Sequence, residues 1–436
     1  MATTTEPSKK LHFAIVGGSL GGLATGIALK ALGHNTTILE RNPTPLLHDQ
    51  GAGIVAGGHA LEFLQRYNRS QRQEISVPSS CRQYLNHAGQ VIHTATADHD
   101  MSSWDLTYFL MRANYDGIPS PYCDVPPSDP SHGTAVHHHD RNVTSVISDP
   151  DGSGVVVSWK STTSPSITGT LTADMLIGAD GPSSTIRSLF APDTERSYAG
   201  YCALRGTVPE HSATPSTLST LAEKFTFFHA PGIQILAYLI PGKNGSIQPG
   251  ERLINFVYYT NFPEGSPELD RILTDRNGRR HRITLPPGMV DPIAWKKQQE
   301  IAREKLPPQF AEIVCKAERP FVQAVTDVLS PTNEFLNGRV VLIGDALAGF
   351  RPHTVASTAQ AAYDAMLCAD YVAGKITREE WKRQTMGYAR FIQHRGVVMG
   401  TRSQHEVLSV EEYIRDRDEA SVPVSYDMFP KWAVAI

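Results

Sequence analysis

Gly17, Ser19 and Gly22 stand in the stretch Val16-Gly17-Gly18-Ser19-Leu20-Gly21-Gly22. Their spacing is that of a loop that holds phosphate. The first glycine makes a tight turn, the middle residue lets the backbone approach a pyrophosphate, and the third lets a helix close on a strand. Serine in the middle position stays small and adds a hydroxyl donor. Gly18 and Leu20 complete the turn, and the N–H groups of the helix that follows face the anion. Glu40 comes eighteen residues after Gly22, where a carboxylate accepts hydrogen bonds from ribose hydroxyls. Two further turns carry an aspartate after an apolar run: Gly178-Ala179-Asp180-Gly181 and Gly344-Asp345.

Those residues need strands and helices to hold them. Residues 11–16 read as a buried strand, 20–32 as a helix rich in Ala and Leu, and 36–40 as a second strand, a β-α-β unit. Strands are expected again at 173–177 and within 339–346, with Pro182 at the first position of a helix and another helix from about Ser357. Parallel strands so far apart in the chain imply one sheet assembled from distant segments. Residues 197–329 change character: aromatic and β-branched runs between Gly/Pro/Asn turns predict a mostly antiparallel sheet. Residues 116–135, rich in Pro, Ser and Asp, read as a surface loop. After 376 the chain reads as helix and loose tail, with Trp381, Tyr388 and Phe391 as packing residues.

The expected fold class is therefore α/β: a Rossmann-type nucleotide-binding domain, an inserted mostly antiparallel β-sheet domain and a C-terminal helical segment. The expected boundaries are 1–75, 101–196 and 330–375 for the discontinuous first domain, 76–100 and 197–329 for the second, and 376–436 for the helical segment.

The whole chain narrows the function classes. Its 436 residues carry 40 Lys and Arg against 44 Asp and Glu, a net charge of −4. No basic run suggests a nucleic-acid partner. No apolar stretch is long enough for a membrane span, and the N-terminus lacks the pattern of a signal peptide. The five cysteines are scattered without a C-x-x-C pair, which fits a reducing, cytoplasmic setting and no metal or disulfide framework. His137-His138-His139 alternate across a strand, so at most two converge, and a solvated strand is the expectation rather than a metal site.

A strand-ending G-A-D-G and a strand-ending G-D, in this order after an N-terminal Rossmann unit, resemble the single-component FAD-dependent aromatic hydroxylases with the para-hydroxybenzoate-hydroxylase fold. The resemblance runs from about residue 11 to 395. The segments "GGS", "GAGIV", "SVPSS", "YAGYCALRGTV" and "RPHTVASTAQAA" look most like the 2,6-dihydroxypyridine-3-hydroxylase-like branch, which shares Ser19. The resemblance implies FAD as cofactor and NADPH or NADH as co-substrate. It places the pyrophosphate on Gly17, Gly18, Ser19, Leu20 and Gly22, the adenosine ribose on Glu40, Arg41 against adenine or phosphate, Arg112 near the pyrophosphate and ribityl chain, and the ribityl hydroxyls on Asp345. Asp180 would order its turn beside the dinucleotide, Pro352 would pass the reactive flavin edge, and Ala356 would lie where a helix opens on the flavin pyrimidine. Gly53, in the 51–58 glycine stretch, is expected in a turn beside the flavin. Where many members have G-x-G-x-N, this chain has Val355-Ala356-Ser357-Thr358-Ala359.

The activity so implied is monooxygenation: O2 and NAD(P)H are used to hydroxylate a phenolic or hydroxy-N-heteroaromatic ring through a C4a-hydroperoxyflavin. The alternative is decarboxylative hydroxylation of a para-hydroxybenzoate-type acid, prenylated acids included, to a hydroquinone. A non-oxygenase flavoprotein such as a prenyl-chain reductase, a halogenase and a non-catalytic FAD-binding protein are competing readings. The halogenase pattern W-x-W-x-I-P is absent from the sequence. Candidate catalytic residues are His353, beside the flavin-adjacent proline; Arg205, as an anchor for a carboxylate or carbonyl; and His229 and Tyr238, on strands of the inserted sheet, as bases for a phenol. The expected partners are a small aromatic substrate and O2, with the chain as monomer or homodimer.

Overall fold

A computed structural model of the chain describes residues 9–44 and 53–419. The fold is mixed α/β, with three sheets. The first has six strands in the order Glu334–Phe335, Val340–Leu342, Met175–Gly178, His12–Val16, Asn35–Leu39 and Ala135–His138. All neighbours run parallel except the short edge pair at Glu334–Phe335. Parallel strands buried on both faces read as continuous apolar runs, and Phe13, Ala14 and Ile15 are fully buried here.

The nucleotide-type unit is built as its glycines require. Gly17 has φ +102°, and a Cβ there would sit 2.4 Å from the Ala179 carbonyl oxygen. A Cβ on Gly22 would fall 1.9 Å from the Gly17 oxygen. The Leu20–Ala31 helix can therefore close on its strand only with glycine at both places. The turn after Met175–Gly178 departs from expectation: its helix spans Thr185–Phe190, and Pro182 lies before it. Ser184 is the N-cap, with its Oγ accepting from the Arg187 N–H. Asp180 takes the Thr185 and Ile186 N–H groups at 2.6 and 3.2 Å. Side-chain acceptors thus start the helix later than the proline alone predicts.

The second sheet has ten strands. Its main path is Thr284–Leu285, Phe321–Leu329, Ser197–Pro209, Leu253–Asn261, Ile233–Ile240, Phe225–Ala230, Val77–Leu85, Val91–Ser103 and Gly53–Val55, with Ala348–Gly349 paired to Phe321–Leu329 off that path. The pairings are antiparallel except between Phe225–Ala230 and Val77–Leu85. Gly53–Val55 is a strand rather than the expected turn, because it pairs with Met101–Ser103. Residues 51 and 52 of that glycine stretch lie outside the described residues. A third, three-stranded sheet comprises Asn142–Ser148, Val155–Lys160 and Thr168–Ala173.

One face of the second sheet packs a core that includes Leu204, Phe256, Trp295 and Phe310. The other carries Tyr201, Tyr238, Val257, Tyr259 and Val325. The 27-residue helix Arg378–Gln404 follows, with Trp381 and Tyr388 buried in the core of the first sheet. Among the described residues no helix is long and apolar enough to cross a membrane.

Candidate active site

Two adjoining cavities lie where the sheets meet. One of about 360 Å³ is lined by Gly17, Ser19, Glu40, Arg41, Arg141 and Asp180, among others. The other, of about 330 Å³, begins at Ser19 and Leu20 and runs past Asp345, Pro352 and Ala356 to Arg205, Tyr238 and Tyr259. Ser19, Trp104, Ala179 and Gly181 line both. Together they form a continuous groove from the nucleotide-type turn to the face of the second sheet.

At the first end, Ser19 is the N-cap of the Leu20–Ala31 helix and makes no side-chain capping bond. The hydroxyl and the first helical N–H groups thus face the cavity as anion donors. Gly18 donates its N–H to Glu40 Oε2 at 2.7 Å, and Asn42 donates to Oε1. Gly18 and Gly22 shape the turn without lining either cavity. A Cβ on Gly18 would meet His137 Nε2 at 2.4 Å. His137 and His139 share a face, their rings stacked at 4.3 Å.

At the middle of the groove, Asp345 is the informative residue. The residue lines the cavity, and burial pushes the pKa of its carboxyl up to about 6. Its Oδ1 has no hydrogen-bond partner among the described residues. A buried acceptor left open is costly unless a ligand satisfies it. Ribityl hydroxyls are donors of the right kind. With the open helix end and the joined cavities, the residues fit FAD. Val355, which also lines the cavity, has φ +50°, the left-handed region that β-branched residues avoid. Ala356, Ser357 and Thr358 open the Ser357–Val372 helix onto the same space.

Arg112 takes a different place from the one expected. It is buried, donates to Asp116 through Nε and Nη2 at 3.0 and 2.8 Å, and donates to the Tyr108 hydroxyl at 2.7 Å. It reaches neither cavity wall. The i, i+4 spacing of Arg112 and Asp116 on one helix brings the two together. Tyr115 packs against Gly26 and bonds Thr36 Oγ1 at 3.0 Å.

At the far end, Arg205 and Tyr238 line the cavity and His353 and His229 do not. Arg205 is half-buried, and no carboxylate pairs with it among the described residues. Its guanidinium lies 5.8 Å from the Phe321 ring centre. Burial pushes the Tyr238 hydroxyl up to about 12 and the Tyr259 hydroxyl higher, so both act as donors at neutral pH. His353 lies one layer behind, stacked on Tyr259 at 4.3 Å and bonded to the Tyr201 hydroxyl at 2.9 Å. Burial lowers its pKa to about 3. His229 bonds Gln234 and packs on Tyr413.

Sequence reasoning missed several wall residues. Trp104 lines both cavities and stacks on Tyr108 at 4.7 Å. Its signal was Ser103, a helix N-cap accepting from the Leu106 N–H. Arg196 donates to Thr326 and Ser183 at the cavity wall, and burial lowers its pKa to about 10. Tyr259, Gln323 and Val325 line the wall through strand register alone.

The comparisons with known proteins agree with this geometry. Residues 198–327 match the family described as FAD binding domain-like. The 2,6-dihydroxypyridine 3-monooxygenase of Paenarthrobacter nicotinovorans is 28% identical over 420 residues, covering 93% of each chain. The structure of 2,6-dihydroxypyridine-3-hydroxylase from Arthrobacter nicotinovorans superposes with a TM-score of 0.78 at 26% identity, over 92% of this chain and 94% of that one. Over nearly its whole length the chain is thus similar to FAD-dependent aromatic hydroxylases. A further likeness, in fold alone, is to HpxO of Klebsiella pneumoniae complexed with FAD and uric acid, with a TM-score of 0.66 at 15% identity, over 97% of this chain and 96% of that one. FAD is thus the cofactor that both the relatives and the groove support.

Proposed function

We propose that this flavin-dependent hydroxylase uses NADPH or NADH and O2 to place one oxygen atom on an electron-rich hydroxylated ring, phenolic or N-heteroaromatic. The observation that carries the reading is the single groove joining an open helix N-terminus, the unsatisfied Asp345 carboxyl and a roof bearing Arg205. Bound FAD supplies the oxygen chemistry: NAD(P)H gives two electrons, one oxygen atom enters the ring and the other leaves as water.

The chain's own residues bind, orient and exclude water. Ser19 and the N–H groups after it hold the pyrophosphate, Glu40 and Arg41 the adenosine side, and Asp345 the ribityl hydroxyls. Gly53 leaves room for the Tyr238 ring, which a Cβ would meet at 2.5 Å. Arg205 anchors the anionic oxygen of the ring, and Tyr238 donates to it. A cation beside the ring lowers the pKa of a phenol and favours the electron-rich phenolate. Leu236, Val257 and Val325 keep that end apolar, which strengthens the electrostatics there. His353 supports Tyr259 from behind. We read the first sheet with its helices as the FAD-binding unit and the face of the second sheet as the substrate wall. We place the protein in the cytoplasm.

A decarboxylative variant of the reaction remains the second reading. Arg205 favours it, since an unpaired guanidinium on a cavity wall suits a carboxylate as well as a phenolate.

The test is NADH and NADPH oxidation in air by the flavin-loaded protein, with hydroxypyridines and hydroxybenzoates as probes and products weighed by mass spectrometry. A gain of about 16 mass units marks hydroxylation, and a loss of about 28 marks replacement of carboxylate by hydroxyl. A yellow protein that no aromatic stimulates would refute the hydroxylase reading.

A further inference from the structure

Asp364 sits on the Ser357–Val372 helix, among buried Ala365, Met366, Leu367 and Cys368. It is fully buried and lines neither cavity. Its Oδ2 accepts the Gly344 N–H at 2.8 Å. Its Oδ1 has no hydrogen-bond partner among the described residues, and burial pushes its pKa up to about 8.

A carboxyl in such surroundings is unfavourable by itself. An apolar side chain of the same size would pack there without desolvation. What the carboxyl gains is one contact, and that contact falls on a special residue. Gly344 has φ +55°, a conformation open to glycine and strained for most others. It immediately precedes Asp345, a residue that lines the groove and whose enclosed Oδ1 has no hydrogen-bond partner among the described residues. Two buried carboxyls therefore flank one backbone turn. One grips the turn from the core, and the other is presented by it to the ligand.

We propose that Asp364 is a positioning residue for the flavin: by fixing the Gly344 N–H it sets the turn that aims the Asp345 carboxyl at the ribityl hydroxyls. The inference rests on the FAD reading and goes beyond it, because Asp364 acts through Asp345 without touching the ligand.

The test is a double-variant cycle read by FAD binding. FAD is titrated into the flavin-stripped full chain and followed by quenching of flavin fluorescence. Asp364→Asn keeps an acceptor for Gly344 and should bind FAD within about threefold of the parent, whereas Asp364→Leu removes it and should weaken binding about tenfold. The decisive comparison is with Asp345→Ala. Because Asp364 works through Asp345, adding Asp364→Leu to Asp345→Ala should produce no further loss. Losses that multiply in the double variant, or an Asn variant as weak as the Leu variant, overturn the proposal. If Asp364→Leu does not fold, Asp364→Ser, whose side chain is one atom shorter, replaces it in the same cycle. If the parent chain itself binds no FAD, the cofactor reading fails first, and that is seen before any variant is made.

Discussion

Tyr201 and His353 share a hydrogen bond of 2.9 Å between the tyrosine hydroxyl and Nε2, in a buried layer behind the cavity wall. The imidazole also stacks on Tyr259, so it ties the Ser197–Pro209 strand to the loop carrying Pro352. Tyr201→Phe leaves a buried ring nitrogen unpaired and should lower stability by about 1–3 kcal/mol, measured as a fall in urea midpoint. The same histidine sets an acid limit. Its folded pKa, near 3, lies below the ordinary value of 6.5, so an unfolded chain binds a proton that the folded chain refuses. Stability is then lost as pH falls from about 6.5 toward 3, by at most about 1.4 kcal/mol per pH unit from this group. On going from pH 7 to pH 5, the urea midpoint of His353→Phe should fall less, or rise more, than that of the parent.

Asp364 and Asp345 have the opposite sign. Their folded pKa values are raised, to about 8 and about 6, so the folded chain holds protons that the unfolded chain releases. These two carboxyls contribute stability to the flavin-free protein that is lost as pH rises from about 4 to 8. Asp364→Asn should flatten the part of that decline between pH 6 and 8. Melting curves of the stripped protein at those two pH values check it, and an unchanged slope in the variant would contradict the burial argument.

FAD affinity should follow the Asp345 carboxylate. Ionised, it offers acceptors to two hydroxyls; protonated, it loses part of that capacity. Binding should weaken as pH drops through about 6. Asp345→Asn should raise the dissociation constant about tenfold at pH 7.5 and remove the pH dependence. Fluorescence titration of the stripped protein measures both.

Arg205 should govern the ring and leave the flavin alone. Arg205→Met keeps length and loses the charge. It should raise the dissociation constant of an anionic hydroxyaromatic about tenfold or more, with FAD affinity within about twofold. Spectral titration of the flavin-loaded protein with 4-hydroxybenzoate and with 2,6-dihydroxypyridine reads it. A variant that binds both rings as the parent does would remove Arg205 from the site.

Val355 holds a left-handed conformation at the cavity wall, at the first position of the segment where the resemblance implied G-x-G-x-N. Val355→Gly relieves that strain and should stabilise the protein by about 0.5–1 kcal/mol, after allowance for the extra freedom of glycine in the unfolded chain. Thermal unfolding checks it. A melting temperature lower than the parent's would show that side-chain contacts outweigh the strain.

Local pattern carried much of this protein. The turn at Gly17–Gly22 and the placing of Glu40 are legible because each demand is met within one β-α-β unit: a tight turn, a close helix and a strand-end carboxylate. The first-sheet strands are legible for the same reason, since burial on both faces leaves continuous apolar runs. The aspartates 180 and 345 announce themselves by following such runs. What the sequence could not determine depends on register and on layers. Arg205 and Tyr238 share a wall with Tyr259, Gln323 and Val325 because four strands align, and no spacing along the chain encodes that alignment. His353 adjoins Pro352 in sequence yet faces a different layer, and Arg112 pairs with Asp116 and lines neither cavity. Residue type and spacing fixed the chemistry available at each turn. Only tertiary packing, through strand register and burial, decided which of those groups face a common space.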